Sequence, residues 1–566
     1  AVPRRTLQCI FKHLAFAECV RLGLDKKEEA AVRNEYSDAT GLLVAHQVVP
    51  SGPAHRAGLQ PGDIVLKLNG ERVHHFLPLE STLDDSKSVD LHVKRGDKTL
   101  DFTVETDDLH AISPSEFIEI SGAIIHPLSY QQAINNHLAP GGVYVSSSGF
   151  MLGRADINWD TLILAVNDDV TPDLDAFEKA ICKYPNLSNV SIRFIELSNK
   201  FREQVRTVTI DRTWFFWRRA KRCDETGLWH HHDLPAPEGD FEMQPQHISY
   251  AHDTIPAVVL VSFDVPFQCD GIPISSFHGA GIVLDAKAGL VLCDRNTVPT
   301  SLGNVTLTFA GSVEIPAVVE FLHPLHNFSF VRYNPALLDV EQAEGLEHLA
   351  FDLVESSEPL KSGDETTFVG LSHNMTQIRQ RCTVTNIERL LFPHAKPPRF
   401  TAKNQEVIHI DKHVRNIGGA FLDVQGRVQA FWFSFSYQNE SSKDKETFAG
   451  IPASIVFDTL RELGDAGPSN VHSVCTLATD FVVTPIAKAR AGMGLSTEWV
   501  KKLASVAKTS SNNHVLTIRN VLAGSPPAEL LKPGDLLLAI DSQPINDFRS
   551  AEKAVAMREK VKVTVL

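Results

Sequence analysis

One turn-and-strand motif occurs twice in this chain, near its two ends, and restricts the fold more than any other feature. The first copy runs Leu59-Gln60-Pro61-Gly62-Asp63, then Ile64-Val65-Leu66-Lys67-Leu68, then Asn69-Gly70. The second runs Leu531-Lys532-Pro533-Gly534-Asp535, then Leu536-Leu537-Leu538-Ala539-Ile540-Asp541. Pro-Gly-Asp favours a tight turn, the apolar run favours a strand, and Asn-Gly favours a type I′ hairpin turn. The motif therefore predicts two related β-rich modules with a long segment between them.

Length and composition set further limits. The chain has 566 residues, and at roughly 100 to 200 residues per domain it should hold about three to five domains. Hydrophobic residues make up 43% and charged residues 22%, as in ordinary globular proteins. No apolar run approaches the roughly 18 residues of a membrane span, so we expect no membrane contact. The net charge of −15 argues against nucleic acid as a partner.

Cysteine and histidine spacing gives no sign of a metal centre or cofactor. The eight cysteines are scattered without a C-x-x-C pair, which suits a reducing compartment such as cytosol or nucleus. The run His230-His231-His232 has no further ligands spaced around it, and adjacent side chains point in different directions. We therefore predict neither a metal site nor a cofactor.

The first module, near residues 7–104, resembles a PDZ domain of the permuted kind found in HtrA proteases. A PDZ domain adds an extended peptide to a sheet edge, and backbone amides of one loop receive the peptide carboxylate. By resemblance, that loop is Thr6, Leu7, Gln8 and Cys9. Gln8 replaces the usual glycine, which makes a positive φ more costly and predicts weak carboxylate capture. A packing domain that binds no free peptide is the alternative.

Two further modules resemble PDZ domains. In residues 117–210, which include a predicted helix over 173–182, the resemblance assigns the loop to Ser121, Gly122, Ala123 and Ile124. Because glycine is present there, we expect this module to bind peptide better than the first. In residues 475–566 the assigned loop is Thr479, Asp480, Phe481 and Val482. Asp480 would repel a peptide carboxylate at that position.

Short β runs bounded by Gly, Pro or Asn dominate residues 248–463 and predict two six-stranded barrels with a closing helix over 455–463. The run Arg415-Asn416-Ile417-Gly418-Gly419 resembles the nucleophile turn of trypsin-like double barrels, with Ile417 in the serine position. Two upstream segments resemble those that carry the histidine and aspartate. By resemblance, Asn296 and Asn327 occupy these two positions.

These substitutions remove the chemistry of a serine protease. A serine hydroxyl needs an imidazole to take its proton, and the imidazole needs a carboxylate to orient it. Asn296 is no base near neutral pH, Asn327 carries no charge, and Ile417 has no nucleophilic atom. We therefore expect no catalytic residue among the three positions. Residual hydrolysis by Ser434 or Ser436 with His278 or His323 is the alternative left open.

Residues 213–247 are polar and irregular in pattern and are predicted to be a linker. They contain Arg218-Arg219-Ala220-Lys221-Arg222, which suits a solvated linker or a nuclear address. Aromatic residues are interleaved with these charges and are expected to attach the linker to a neighbouring domain, with nucleic-acid stacking as the alternative. The rings are Trp214, Phe215, Phe216, Trp217 and Trp229.

Taken together, the chain is similar to fungal nuclear HtrA-like serine proteases of the pro-apoptotic type, which consist of two fused HtrA halves. The fold class is mainly β with α+β modules: PDZ-like domains flank a trypsin-like double β-barrel without its triad. The expected domains are 1–111, 112–212, a linker at 213–247, a degenerate protease domain at 248–466 and a truncated third PDZ-like domain at 467–566.

The resemblance implies a regulatory and substrate-binding half of a serine endopeptidase. Its expected partners are extended or unfolded protein segments, an active protease half that precedes Ala1 in the parent chain, and further copies in a homo-oligomer. The resemblance favours the nucleus over the cytoplasm. The alternative function is a stand-alone PDZ scaffold without proteolytic activity.

Overall fold

The computed structural model describes residues 4–566 apart from 238–240, 251–254, 341–359, 391, 393–395, 397, 413–414, 440, 442, 464–473, 508–512 and 557. The chain forms two compact units, Ala1–Glu242 and Met243–Leu566. The expected domain boundary between 466 and 467 lies outside the described residues. Within the described part, none of the helices has the length and apolar character needed to cross a bilayer.

The first module of unit one is a twisted antiparallel sheet with helices around it. Its strands are β1 Arg5–Thr6, β2 Cys9–Ala15, β3 Gly41–Val48, β4 Ile64–Leu68, β5 Glu71–Arg72, β6 Ser88–Arg95, β7 Lys98–Glu105 and β8 Asp107–Asp108. The helices are α1 Phe16–Arg21, α2 Lys26–Glu35, α3 Pro53–Ala57 and α4 Phe76–Asp84. The strand order is β2-β3-β4-β6-β7, with β5 on β4, and β1 pairs separately with β8.

The turn motif folds as its residues predict. Gly62 has φ +95°, and Asn69 and Gly70 have φ of 48° and 86°, as a type I′ turn requires. The buried Asp63 carboxylate accepts hydrogen bonds from Gln60 N (2.8 Å) and from the Arg95 guanidinium (2.7 and 2.6 Å). The strand predicted at 64–68 is confirmed as β4.

The second module of unit one is a nine-stranded sheet. Its strands are β9 Glu116–Ile120, β10 Ala123–Leu128, β11 Gly141–Ser147, β12 Thr161–Val166, β13 Asp169–Val170, β14 Asn189–Glu196, β15 Glu203–Thr209, β16 Trp217–Arg222 and β17 Trp229–Asp233. Its helices are α5 Tyr130–Asn136, α6 Met151–Arg154 and α7 Leu174–Ile181. The order is β15-β14-β12-β11-β10-β9-β16-β17, with β13 on β12. The predicted helix over 173–182 is confirmed as α7, with Asp173 as its N-cap.

The prediction of an irregular linker at 213–247 is wrong for much of that segment. Residues 217–222 and 229–233 are β16 and β17, and β16 pairs with β9, about a hundred positions earlier in the chain. Trp217 and Ala220 are buried. The guanidinium groups of Arg218 and Arg219 bind the carboxylates of Glu119 (2.6 Å) and Glu116 (2.7 Å) on β9. Charged residues therefore serve here as cross-strand partners.

Unit two contains two closed six-stranded barrels, as predicted. A short parallel pair, β18 Gln246–Ile248 and β25 Leu338–Val340, accompanies the first barrel. The barrel strands are β19 Val258–Asp264, β20 Ser276–Asp285, β21 Leu290–Cys293, β22 Asn304–Phe309, β23 Val313–Leu322 and β24 Ser329–Tyr333, then β26 Glu365–Leu371, β27 Gln377–Arg389, β28 Glu406–Ile410, β29 Gly419–Leu422, β30 Val428–Gln438 and β31 Asp444–Pro452. Helix α8, Ala453–Leu463, follows as the closing helix.

The last module of unit two repeats the first module's topology. Its strands are β32 Thr479–Pro485, β33 His514–Val521, β34 Leu536–Ile540, β35 Gln543–Pro544 and β36 Val563–Val565. Its helices are α9 Ile486–Gly492, α10 Thr497–Val506 and α11 Phe548–Val555. The order is β32-β33-β34-β35, with β36 on β34, so β32 is an outer strand of its own sheet.

Candidate functional site

Two of the three predicted triad positions meet at one residue. Asn296, which follows β21, donates from Nδ2 to Ser434 Oγ at 2.6 Å. Asn327, which precedes β24, donates from Nδ2 to the Ser434 carbonyl at 2.6 Å. The Asn327 Oδ1 accepts from Arg295 N at 3.1 Å. The two amides therefore form a fixed hydrogen-bond network around Ser434.

The third position, Ile417, belongs to the apolar core. Its side chain is 9% exposed and packs in a cluster that contains residues of both barrels, among them Ala280 and Val369. Its backbone N–H donates to Leu371 O at 2.9 Å, and the N–H of Gly418 donates to Asn416 Oδ1 at 2.9 Å. Because both N–H groups already have acceptors, neither is free to stabilise an oxyanion.

The hydrolase alternative with Ser434 or Ser436 does not match the contacts of the histidines. The Ser434 side chain is 3% exposed, and its hydroxyl donates to the Glu446 carboxylate. His278 Nδ1 pairs with Ser262 Oγ at 3.0 Å. His323 Nδ1 accepts from the N–H groups of Leu325 (3.1 Å) and His326 (2.9 Å). Neither imidazole is placed to take a proton from these serines.

Two carboxyl groups near Ser434 were not singled out from the sequence. Asp294 is fully buried and accepts from Thr297 N (2.7 Å) and Ser434 N (3.3 Å). Burial raises the pKa of the Asp294 carboxyl to about 6. Glu446 accepts from Ser434 and from Asn296 (3.3 Å). The position of Asp294 directly after a buried strand was the available signal, whereas Glu446 reaches Ser434 through the pairing of β30 with β31.

A cavity of about 350 Å³ lies beside the two asparagines. Its wall includes Phe400 and Glu446, together with Arg295, whose guanidinium stacks on the Phe400 ring at 3.7 Å. Burial lowers the pKa of Arg295 to about 10. The cleft between the barrels is thus retained, with amides where acid–base groups would stand.

The first PDZ-like module keeps a free strand edge. Strand β2 ends its sheet, and among the described residues it pairs only with β3. The side chains of Cys9 and Phe11 on β2 share one apolar cluster with Leu79 and Leu83 of α4. Strand β2 and helix α4 therefore border a groove with an apolar wall and an unpaired backbone edge.

The turn at the end of this groove has no free amide at Gln8. Gln8 adopts φ 53°, and its side chain is buried, with Nε2 donating to Asp107 Oδ2 at 2.6 Å. Its backbone N–H donates to Thr6 Oγ1 at 2.9 Å. Burial raises the pKa of the Tyr130 phenol. The contact between Gln8 and Thr6 occupies one amide that could receive a carboxylate, and the weak carboxylate capture itself stays a prediction.

The second PDZ-like module offers no free edge at its loop, contrary to the expectation from the sequence. Ser121 (φ 47°) and Gly122 (φ 77°) form a hairpin turn between β9 and β10. Strand β9 lies along β10, from Ala123 through Ile125, and β16 lies along β9. Ile118 and Ile120 of β9 are fully buried. The chain itself thus occupies the edge that an added peptide would use.

In the last module, the residues predicted to form the loop lie in a strand instead, directly after the turn. Thr479, Asp480, Phe481 and Val482 belong to β32, and the positive φ of 50° is at Ala478. Asp480 binds the guanidinium groups of Arg389 (2.6 Å) and Arg519 (3.8 Å). Its charge is therefore compensated, and the predicted repulsion of a carboxylate does not apply.

Some aromatic residues of the segment 213–247 contact the second sheet, whereas Phe216 is 65% exposed. The Trp217 indole donates to Asp211 O at 2.9 Å, and the Arg212 guanidinium lies 3.7 Å from its ring centroid. The Trp229 ring lies 5.3 Å from that of Phe117. Stacking of nucleic acid on Trp217 would require this ring to leave its buried position.

One group of side chains has a metal-like composition, namely His323, His326 and Glu552. His323 Nδ1 accepts two backbone N–H groups, so the ring proton is on Nε2. A protonated Nε2 cannot ligate a metal, which leaves two ligands at most. The His230-His231-His232 run lies on β17, where alternate side chains point to opposite faces.

Comparison with known proteins agrees with this architecture. PDZ domain models match residues 21–106 and 488–566, and a PDZ-like domain model matches residues 111–186. "Protease Do-like 7" of Arabidopsis thaliana is 32% identical over 99% of this chain and 62% of its own length. "Pro-apoptotic serine protease NMA111" of Yarrowia lipolytica is 32% identical over all of this chain and 58% of its own length.

The chain therefore spans only about half to two thirds of the length of these relatives. A solved structure, "HtrA-type protease AlgW with tripeptide", is 17% identical with a TM-score of 0.38, over 55% of this chain and 89% of that one.

Proposed function

Because the chain is a PDZ-containing HtrA-like protein, we propose that it is the regulatory and substrate-binding part of an HtrA-type serine endopeptidase. Its first PDZ-like module binds extended or unfolded protein segments. The two barrels carry no protease activity of their own and serve as a structural interface. We place the modules at 1–111, 112–212, 248–466 and 467–566. Strands β16 and β17, which follow residue 212, are added to the second module.

The observation that carries this proposal is the unpaired edge of β2 beside α4. An extended segment can add to β2 through backbone hydrogen bonds, while Phe11, Leu79 and Leu83 provide an apolar surface for its side chains. Since Gln8 N–H is already bonded to Thr6, we infer that the groove takes internal segments and gains little from a terminal carboxylate.

The experiment uses the full chain and fluorescein-labelled β-casein, an unfolded protein. We expect binding to slow hydrogen exchange of the amides in residues 9–15. Phe11→Asp should weaken binding about tenfold, since it places a charge in the apolar groove. Ile10→Asp, one position along the same strand and already 37% exposed, is the matched control and should change binding less than about twofold. Equal binding by wild type and Phe11→Asp, without protection of β2, would overturn the proposal.

The proposed inactivity of the barrels is supported by the contacts of the three triad positions. Asn296 and Asn327 donate to Ser434, and Ile417 packs among apolar side chains. None supplies a base, an orienting carboxylate or a nucleophile. We expect no covalent adduct when the chain is treated with a fluorophosphonate probe, and a stoichiometric adduct would contradict this part.

We further propose an active protease half of the same parent chain and other copies of the chain as partners. The greater length of the relatives supports the first, since they extend well beyond the matched part. The alternative, a stand-alone scaffold, is distinguished by the parent gene: an intact histidine, aspartate and serine set in a preceding domain supports the protease, and its absence supports the scaffold.

We propose the nucleus as the location, with the cytoplasm as the alternative. The run from Arg218 to Arg222 is an unsuitable address in the folded chain, because it lies in β16 between two strands. Imaging of the tagged parent protein, with and without this run neutralised, tests whether localisation depends on it; we expect no dependence.

A further inference from the structure

The groove of the last PDZ-like module is built like that of the first but is covered. Strand β32 and helix α11 border it, and Phe481, Phe548 and Val555 share one apolar cluster. Strand β32 is the outer strand of its sheet. If only the strands of this sheet are considered, an extended peptide could therefore add to β32.

A barrel side chain occupies this edge instead. Asn404, which precedes β28, donates from Nδ2 to Thr479 O at 2.7 Å. Its Oδ1 accepts from Phe481 N at 2.9 Å. An added antiparallel strand would offer one C=O and one N–H to residues two apart on β32. The primary amide of Asn404 supplies one donor and one acceptor to these same two groups, so it takes the place of two backbone hydrogen bonds that an added strand would make.

Arg389 and His326 of the barrels hold both walls of the groove. On the strand side, Arg389 of β27 binds Asp480 at 2.6 Å, and its side chain is only 5% exposed. On the helix side, His326 Nε2 pairs with the Glu552 carboxylate of α11 at 2.8 Å. Burial alone would raise the pKa of the Glu552 carboxyl. Its hydrogen bond with His326 and the nearby Arg549 outweigh burial and lower this pKa to about 2.

Two further contacts fix the covering segment and the helix. The Lys403 N–H donates to Leu325 O at 3.0 Å, which ties the segment to the first barrel. Asp458 of α8 binds Lys553 of α11 at 3.0 Å. The space left between these walls is about 30 Å³. That volume suits about one water molecule and excludes a peptide side chain.

We propose that the groove between β32 and α11 is a binding site for the chain's own segment Lys403-Asn404. An external extended peptide with apolar side chains binds there only by displacing Asn404. This site differs from the β2 edge of the first module, and its occupation by Asn404 does not depend on peptide binding at β2.

The first test measures hydrogen exchange of the Phe481 amide in the full chain. Asn404 has φ 49°, a conformation that glycine adopts readily, so Asn404→Gly removes the amide while sparing the backbone. We expect the Phe481 amide to exchange at least about tenfold faster in this variant. Ala310→Gly, at another barrel turn with φ 51°, is the matched control and should leave Phe481 protected. Equal exchange of Phe481 in wild type and Asn404→Gly would overturn the proposal.

The second test measures displacement with the labelled peptide fluorescein-Gly-Gly-Val-Phe-Val, in a Phe11→Asp background that removes the β2 site. We expect Asn404→Gly to bind this peptide about tenfold more tightly than the background chain, with renewed protection of Phe481. Asn404→Asp, which keeps the size but loses the donor to Thr479 O, should behave in the same direction. Unchanged affinity in both variants would show that the groove is a fixed interface and would overturn the proposal. The β-casein experiment concerns only the β2 edge, so a negative result there would not count against this proposal.

Discussion

At the scale of single residues, the buried carboxyl of Asp294 makes the region around Ser434 sensitive to pH. Its folded-state pKa of about 6 lies above the ordinary value of 3.8 for an aspartate, so the folded chain binds this proton more tightly than the unfolded chain. A raised carboxyl pKa contributes stability that is present at low pH and lost as pH rises through the folded pKa.

We therefore predict that Asp294→Asn changes the pH dependence of stability. Relative to the variant, the free energy of unfolding of the wild type should fall by up to about 3 kcal/mol between about pH 4 and pH 7. Denaturant unfolding of both proteins across this range measures the difference. A parallel pH dependence in the two proteins would contradict a shifted pKa at Asp294.

The isoleucine at the nucleophile position gives a second residue-scale prediction. Ile417→Ser should remain unreactive toward a fluorophosphonate, because Asn296 is no base and the Ile417 N–H stays bonded to Leu371 O. The same change places a hydroxyl in an apolar core and should lower stability by about 2–4 kcal/mol. Mass spectrometry of the labelled protein checks the first effect and thermal unfolding the second. An adduct at residue 417 would show that a base is present after all.

At the scale of elements, the turn that ends the β2 groove has an amide whose acceptor can be removed. Thr6→Val deletes the Oγ1 that accepts the Gln8 N–H and keeps the side-chain shape. We compare one peptide with a free C-terminal carboxylate and the same peptide with a C-terminal amide. The variant should bind the carboxylate form about fivefold more tightly than the amide form, whereas the wild type should bind the two forms about equally. Isothermal titration with the peptide pair measures the ratio. Thr99→Val, exposed on β7, is the control and should leave it unchanged.

Strand β16 is held to helix α7 by one cation. Arg219 binds Glu116 (2.7 Å), Asp175 (2.5 Å) and Glu178 (3.0 Å), and its side chain is 14% exposed. Arg219→Met leaves three carboxylates without their cation and should cost about 2 kcal/mol.

Hydrogen exchange should accelerate in residues 217–222 and 229–233 of the Arg219→Met variant. Arg222→Met is the matched control on the same strand, because its ion pair with Asp224 is half exposed on the arginine side. That change should cost less than about 0.5 kcal/mol. Similar exchange in the two variants would mean that Arg219 does not hold the strand.

Local patterns predicted individual elements well. The Pro-Gly-Asp turn and β4, the helix α7 and both barrels follow from turn residues, capping and alternation close in sequence. The strand β16 could not be found this way, because its partner β9 lies about a hundred residues earlier and its polar residues are paired only in the folded sheet.

For the candidate site, too, local motifs could be recognised in the sequence and contacts between distant residues could not. The sequence pattern singled out Asn296, Asn327, Ile417 and the Gln8 turn through motifs, and their assignment as site positions stays a prediction. It could not locate Asn404 or Glu446, since their partners Thr479 and Ser434 come from other strands. It also could not show that Asp480 is paired with Arg389, because that contact joins a barrel strand to the last module.

At the scale of the whole molecule, three PDZ-like modules do not give three open edges. The edge of β10 is covered by β9, and the edge of β32 is covered at Asn404. Only β2, among the described strands that correspond to peptide-binding edges, has no such cover.

We therefore predict that the wild-type chain binds one short extended peptide per chain. Titration with a labelled pentapeptide, followed by sedimentation or calorimetry, should give a stoichiometry near one. The Phe11→Asp variant should reduce it toward zero. A stoichiometry of two or three in wild type would show that a covered edge opens readily.

The burial of Ile417 between the barrels has a mechanical consequence. Around Ile417 the seam between the barrels is filled with hydrocarbon from both halves, beside the polar network at Ser434. Opening the seam would expose that hydrocarbon to solvent, so the paired barrels resist hinge bending. We therefore expect ligand-driven movement in unit two at its periphery, where Asn404 meets Thr479 and Phe481.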